Sequence, residues 1–206
     1  MRKLIHGCFA LALILTVSTS ANCKELTTYM SCNAGVALLQ DADLTDSTMS
    51  GAKFNIEYDP GYFVGIAIGN HIDNFRIEAE IGYQKNKLDS LKLTSNGVTY
   101  SGDITSDNEI RLSTLMFNIY YDFLKESMFS PYLCAGLGLG NIKVDGASKS
   151  DAVSAYQYGA GVAFRISDRV ALDLKLRHLE TSDYEFETSN LDFATNNAIF
   201  DVRVYF

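Results

Sequence analysis

Ala198-Ile-Phe-Asp-Val-Arg-Val-Tyr-Phe206, the last nine residues of the chain, alternate strictly and stop on a phenylalanine. A strand turns its side chains over at every residue. Ala198, Phe200, Val202, Val204 and Phe206 therefore share one face, and Ile199, Asp201, Arg203 and Tyr205 share the other. Soluble chains usually fray at their ends. A closed barrel in lipid instead needs its last strand fully paired and apolar on the outside. This ending predicts a membrane β-barrel.

Working back from it, segments with the same period lie near 28–40, 61–72, 75–88, 109–123, 131–144, 155–167, 170–186 and 197–206. Each is about as long as a tilted strand needs to cross a bilayer. Pro60 and Pro131 fall at strand starts, where a missing amide donor costs least. Asp73-Asn74 and Ser167-Asp168-Arg169 read as tight turns and 124–130 as a modest link, whereas 41–60, 89–108, 145–154 and 187–196 are longer and polar. Short and long connections alternate, which in an up-and-down barrel sends all turns to one rim and all loops to the other. The expected fold is all-β, an eight-stranded antiparallel up-and-down transmembrane β-barrel with short periplasmic turns and longer extracellular loops.

The N-terminus adds an address. Arg2 and Lys3 precede an apolar run from Cys8 to Val17, and Ser18-Thr-Ser-Ala21 offers a cleavage site after Ser20 or Ala21. Residues 1–21 are expected to be a signal peptide and 22–206 one outer-membrane barrel domain; acylation at Cys23 is the alternative. Losing Arg2 and Lys3 moves the formal charge from −8 to −10, which excludes nucleic-acid binding by bulk electrostatics. Cys23, Cys32 and Cys134 remain, an odd set without metal-ligand spacing. One Cys23–Cys32 bridge stays open.

Alternation fits soluble and membrane barrels alike, so volume has to decide which face is inside. The bulky set includes Val64, Ile66, Ile68, Phe75, Ile77, Ile81, Leu115, Phe117, Ile119, Leu133, Leu137, Leu139, Leu172, Leu174 and Leu176. An eight-stranded barrel holds only a thin filling of side chains, so these belong against lipid. The opposite face is small or charged, with Gly136, Gly138 and Gly140 on one strand and Gly159 and Gly161 on the next. It also carries the acids Glu78, Glu80, Asp122, Asp173 and Asp201 and the bases Arg76, Arg165, Lys175, Arg177 and Arg203. A balanced set in a narrow lumen reads as an ion-paired plug, because pairing offsets the cost of desolvating each charge. The rival is an ion pathway, although a selective channel would carry one dominant sign. Tyr29, Tyr62, Tyr83, Tyr121, Tyr132, Tyr156 and Tyr205 lie near strand ends and read as interface girdles.

The segments Tyr58-Asp-Pro-Gly-Tyr-Phe-Val-Gly-Ile-Ala-Ile-Gly69, Asn74-Phe-Arg-Ile-Glu-Ala-Glu-Ile-Gly-Tyr83, Met116-Phe-Asn-Ile-Tyr-Tyr-Asp-Phe123, Ser130-Pro-Tyr-Leu-Cys-Ala-Gly-Leu-Gly-Leu-Gly140 and Tyr158-Gly-Ala-Gly-Val-Ala-Phe164 follow in that order. Together they resemble the small outer-membrane β-barrel family of the OmpA-type membrane domain, the opacity proteins and related surface antigens. The resemblance spans the mature chain and is specific for architecture, not activity. It implies that Val202, Val204 and Phe206 form the C-terminal signal read by the barrel-assembly machinery.

Three function classes follow. The first is a structural or surface-interaction barrel that meets a host or surface ligand through its loops; the second is a small porin; the third is a lipid-modifying membrane enzyme. For the last, His178 with Glu180 and Ser182 offers the best spacing, His71 sits by the Asp73-Asn74 turn, and no complete nucleophile–base–orienter set emerges. The loops carry Asp41, Asp43, Asp46, Asp89, Asp103, Asp107, Asp145, Asp151, Asp183, Glu185, Glu187 and Asp192 against Lys92 and Lys149. No segment has calcium-loop spacing. The sequence thus predicts a monomer in the cell outer membrane, without catalytic residues, metal or cofactor. Its expected partners are outer-membrane lipids and lipopolysaccharide, the assembly machinery and a ligand of the loops.

Overall fold

The computed structural model describes residues 27–40, 42–45, 52–95, 98–103, 109–124, 127–144, 151–182, 184–186, 189–191 and 193–206. The expected signal at 1–21, Cys23 and the carboxylates Asp41, Asp46, Asp107, Asp145, Asp183, Glu187 and Asp192 lie outside them. The described residues form strands β1 (Thr27–Leu39), β2 (Ala42–Thr45), β3 (Ala52–Tyr58), β4 (Gly61–Ile72), β5 (Phe75–Ser95), β6 (Val98–Asp103), β7 (Glu109–Asp122), β8 (Phe129–Val144), β9 (Asp151–Ser167), β10 (Val170–Thr181), β11 (Tyr184–Phe186), β12 (Ser189–Leu191) and β13 (Ala194–Tyr205).

Eight of these, β1, β4, β5, β7, β8, β9, β10 and β13, pair antiparallel with their neighbours and close into a barrel. Closure joins β1 to β13, from Tyr29 opposite Tyr205 to Leu39 opposite Thr195. The last amide is used as well, Phe206 N donating to Thr28 O at 3.0 Å. Among the described residues no barrel strand is left with an unpaired edge, as a bilayer without hydrogen-bonding solvent demands. Asp73–Asn74 and Asp168–Arg169 make the tight turns of one rim. Asp73 takes φ 55°, a left-handed conformation that aspartate tolerates.

The side-chain division follows volume. The bulky stripe points outward, with Leu137 71% and Leu176 69% exposed, while Glu80 on the other face is 0% exposed. The lumen is too narrow for large residues on both sides of every strand, and close aromatic–glycine pairs fill it. A Cβ added at Gly161 would meet the Tyr132 ring at 2.5 Å, and one at Gly69 would meet Tyr29 at 2.5 Å.

Two expectations change. The polar segments 41–60 and 89–108 contain strands, because β5 runs on for 21 residues. Its upper half carries β3 on one side and β6 on the other, with β2 beyond β3. The projecting half of β5 gives these segments backbone hydrogen-bonding partners, so they pair as strands without an apolar period of their own. The strand expected over 170–186 ends at Thr181, and Tyr184–Phe186 belongs to a separate small hairpin with Ser189–Leu191.

Candidate functional site: the lumen and the extracellular rim

The lumen is built in tiers from the turn rim upward. In the lowest, Arg76 of β5 donates to both carboxylate oxygens of Asp122 on β7, at 2.8 and 2.9 Å. Its guanidinium lies over the rings of Tyr120 at 4.3 Å and Tyr132 at 4.6 Å. Arg203 of β13 makes the same two-pronged contact with Asp173 of β10, at 2.7 and 3.0 Å. Arg76 Nη1 stands 3.9 Å from that Asp173, so the two pairs form one network. His71 Nε2 reaches within 3.4 Å of Asp122. Planar guanidinium matches carboxylate in this geometry, which fixes register as well as charge.

One tier up, Glu78 accepts from the hydroxyls of Tyr29 at 3.0 Å and Tyr120 at 2.8 Å, and from Asn118 at 3.2 Å. Above it, Glu80 accepts from Arg177 Nη1 at 2.8 Å, with Lys175 Nζ at 3.9 Å and Asn33 Nδ2 at 3.3 Å. The Arg177 guanidinium covers Phe63 at 4.2 Å. Asp201 receives Asn33 Nδ2 at 3.4 Å, and among the described residues no basic group comes within ion-pair distance of it. Next come the amides Gln84 and Asn86 with Thr195. The tiers end in an apolar cluster of Leu39, Ile110, Leu112, Leu179 and Phe193 below the extracellular mouth.

Nine of the ten charged residues expected in the lumen are buried there. Arg165 is not. It has inward parity, but it lies next to the 168–169 turn, beyond the last tier, and its side chain is exposed at the rim. The buried set is therefore five acids, Glu78, Glu80, Asp122, Asp173 and Asp201, against four bases, Arg76, Lys175, Arg177 and Arg203. Tyr29 and Tyr132 also move. Both were expected in the girdle, and both are buried in the lumen, at 0% and 2% exposure. Their parity with Asn33 and Cys134 was the available signal. The apolar lid obeys the same parity: Leu39, Leu112 and Leu179 continue the inward face of Asn33, Thr114 and Arg177.

His178 faces outward at the upper part of β10. Its Nδ1 lies 2.9 Å from Asn196 Oδ1, its Nε2 3.6 Å from Glu180, and its ring packs on Tyr158 with centroids 5.1 Å apart. Ser182 is exposed. Cys32 on the outer face and Cys134 in the lumen are both free thiols.

A closed eight-stranded barrel with an apolar exterior and a charged interior has its counterpart among known proteins. The family model described as outer membrane protein beta-barrel domain matches residues 8–204. The chain belongs to this family. Its residence is accordingly the outer membrane. Among related sequences, outer membrane protein PagN of Salmonella typhimurium is 30% identical over 88 residues, which is 37% of this chain and 37% of PagN. A Rickettsia conorii protein named "Putative adhesin RC1281" is 25% identical over 178 residues, 77% of this chain and 70% of that one. Among solved structures, Neisserial surface protein A covers 89% of this chain and 100% of its own at 20% identity, with a TM-score of 0.60. OprG of Pseudomonas aeruginosa covers 87% and 95% at 11% identity, with a TM-score of 0.56. At these identities the structures establish the shared fold.

Proposed function

We propose that the chain is a non-enzymatic surface-interaction barrel, exported by residues 1–21, whose domain 22–206 anchors an extracellular contact surface. The observation that carries this reading is the 21-residue β5, which overshoots the barrel and supports β2, β3 and β6 above it. Paired strands hold a contact surface in fixed shape at lower entropic cost than free loops. The adhesin named among the relatives supports the same reading.

The ion-pair cluster serves as a plug. Two-pronged Arg76–Asp122 and Arg203–Asp173 contacts cross the lower lumen, and the Leu39–Ile110–Leu112–Leu179–Phe193 cluster closes the upper end. A porin would need both out of the way. Segments 41–58, 89–108, 144–151 and 183–192 hold thirteen carboxylates against Lys53, Lys92 and Lys149. That excess favours a cationic partner and repels polyanions. Val202, Val204 and Phe206 serve the assembly machinery, and the mature protein acts as a monomer.

The test is adhesion. Cells of a non-adherent laboratory bacterium displaying the full chain should bind host-cell monolayers, with salt weakening the attachment. Replacing 42–58 and 89–103 by short turns should abolish binding while the barrel keeps its heat-modifiable mobility. Equal adhesion by the trimmed barrel would sink the proposal.

A further inference from the structure

Among the described residues, the outward-facing lysines and arginines of the barrel strands gather on three neighbouring strands. Lys85 of β5 is in register with Arg111 of β7, and Arg111 with Lys143 of β8. Three bases thus stand side by side on three adjacent strands, spanning about 10 Å at the usual strand spacing. All three have the outward parity of the apolar stripe, shared with Ile81 on β5, Ile119 on β7 and Leu139 on β8. Lys87 adds a fourth, in register with Glu109. Glu109 takes Lys85 Nζ at 2.6 Å and Arg111 Nη2 at 3.1 Å. Among the described residues the row Lys85–Arg111–Lys143 meets one carboxylate, Glu109, and keeps a positive balance on a chain whose formal charge is −8; Asp59 lies beside Lys87.

The height of the row matters as much as its charge. Phe75, edge-on to Tyr121 at 5.1 Å, marks the lower apolar boundary. Ten residues of about 3.3 Å each, on a strand tilted about 40°, lift Lys85 about 25 Å above it, one hydrocarbon thickness of a barrel's apolar band. Directly below the row lie Tyr83 and then the register row Ile81–Leu115–Leu139. Tyr62 packs beside Tyr83 with centroids 6.4 Å apart. The row therefore meets the outer leaflet at headgroup level, above a column made for acyl chains. Among the described residues, the extracellular halves of β1, β4, β9, β10 and β13 place no lysine or arginine outward.

We infer that Lys85, Arg111 and Lys143 form a binding site for the phosphate groups of a phosphorylated glycolipid of the outer leaflet, with Lys87 as reinforcement and Glu109 as the group that spaces the cations. Its acyl chains lie along Tyr83, Ile81, Leu115 and Leu139. A bilayer lipid is favoured over a soluble anion because the cations sit on the lipid-facing wall, continuous with the apolar stripe. One side of the barrel then carries an ordered lipid, which sets its orientation among neighbours.

The test uses the full mature chain folded in neutral detergent, with bisphosphorylated lipid A, fully dephosphorylated lipid A and inorganic phosphate as probes, read by native mass spectrometry. The wild type should retain bisphosphorylated lipid A and release the dephosphorylated form. The triple variant K85Q/R111Q/K143Q should bind roughly a hundredfold more weakly, given the attraction each surface cation has for an anionic leaflet. The charge-matched control K149Q/R165Q/R169Q should bind like the wild type, and K85R/R111K/K143R should restore retention. K143Q alone, on an exposed side chain, reads the same loss at smaller scale if the triple variant folds poorly. Equal binding by wild type and K143Q, equal retention of dephosphorylated lipid A, or displacement by inorganic phosphate at matched concentration would each overturn the assignment.

Discussion

Asp173→Asn removes one charge from the lower lumen with almost no change in volume. In the native barrel Asp173 accepts two bonds from Arg203 and faces Arg76 Nη1 at 3.9 Å, and both its neighbours and its own side chain are buried. The variant leaves Arg203 with a neutral partner in place of the carboxylate that held it at two points, so the lowest tier keeps Arg76 and Arg203 against Asp122. Breaking a buried pair by removing one partner costs about 3–5 kcal/mol. That corresponds to roughly two to three and a half decades in the unfolding equilibrium. Urea unfolding of the barrel refolded into lipid vesicles measures it. The double variant Asp173→Leu/Arg203→Met removes both charges together and should recover most of the loss, since a hydrophobic replacement of a buried pair is often close to neutral. A loss below about 1 kcal/mol for Asp173→Asn would show that lumen water already solvates Arg203, and the reasoning about a dry ion-paired interior would fail.

Three further outcomes are expected. Gly161→Val drives a side chain into the Tyr132 ring and should destabilise the folded barrel by about 1–3 kcal/mol, seen as a lower urea midpoint. Leu174→Arg, on the lipid face in the middle of β10, should cost about 2–4 kcal/mol in the same vesicle assay. Deleting Phe206 should lower outer-membrane accumulation in fractionated cells while leaving the secreted amount unchanged, because it removes the terminal aromatic of the proposed assembly signal.

Parity along each strand made the barrel legible: Phe200 and Val204 against Asp201 and Arg203 already separates lipid from lumen. Parity does not give height. Arg165 shares the parity of Ala163 but sits past the lowest tier, where water is cheaper than a partner. Tyr29 and Tyr132 show the converse, since ring chemistry suits a girdle but parity turns both inward, onto Glu78 and beneath Arg76. The pairings of β2, β3 and β6 were beyond reach, because they depend on a distant strand running on past the membrane. Residue spacing alone also hid which acid would lack a base. Asp201 is in register with Asp173, and Arg203 reaches the latter.

A lumen shut to ions is the property that the paired charges and the apolar lid together require. Full-length protein, refolded as a monomer and added to a planar bilayer in 1 M salt (a roughly saturating charge screen), should give no stable current steps, while the same preparation shows heat-modifiable mobility. Long-lived, uniform steps from that monomer would contradict an ion-paired lumen capped by Leu39, Ile110, Leu112, Leu179 and Phe193.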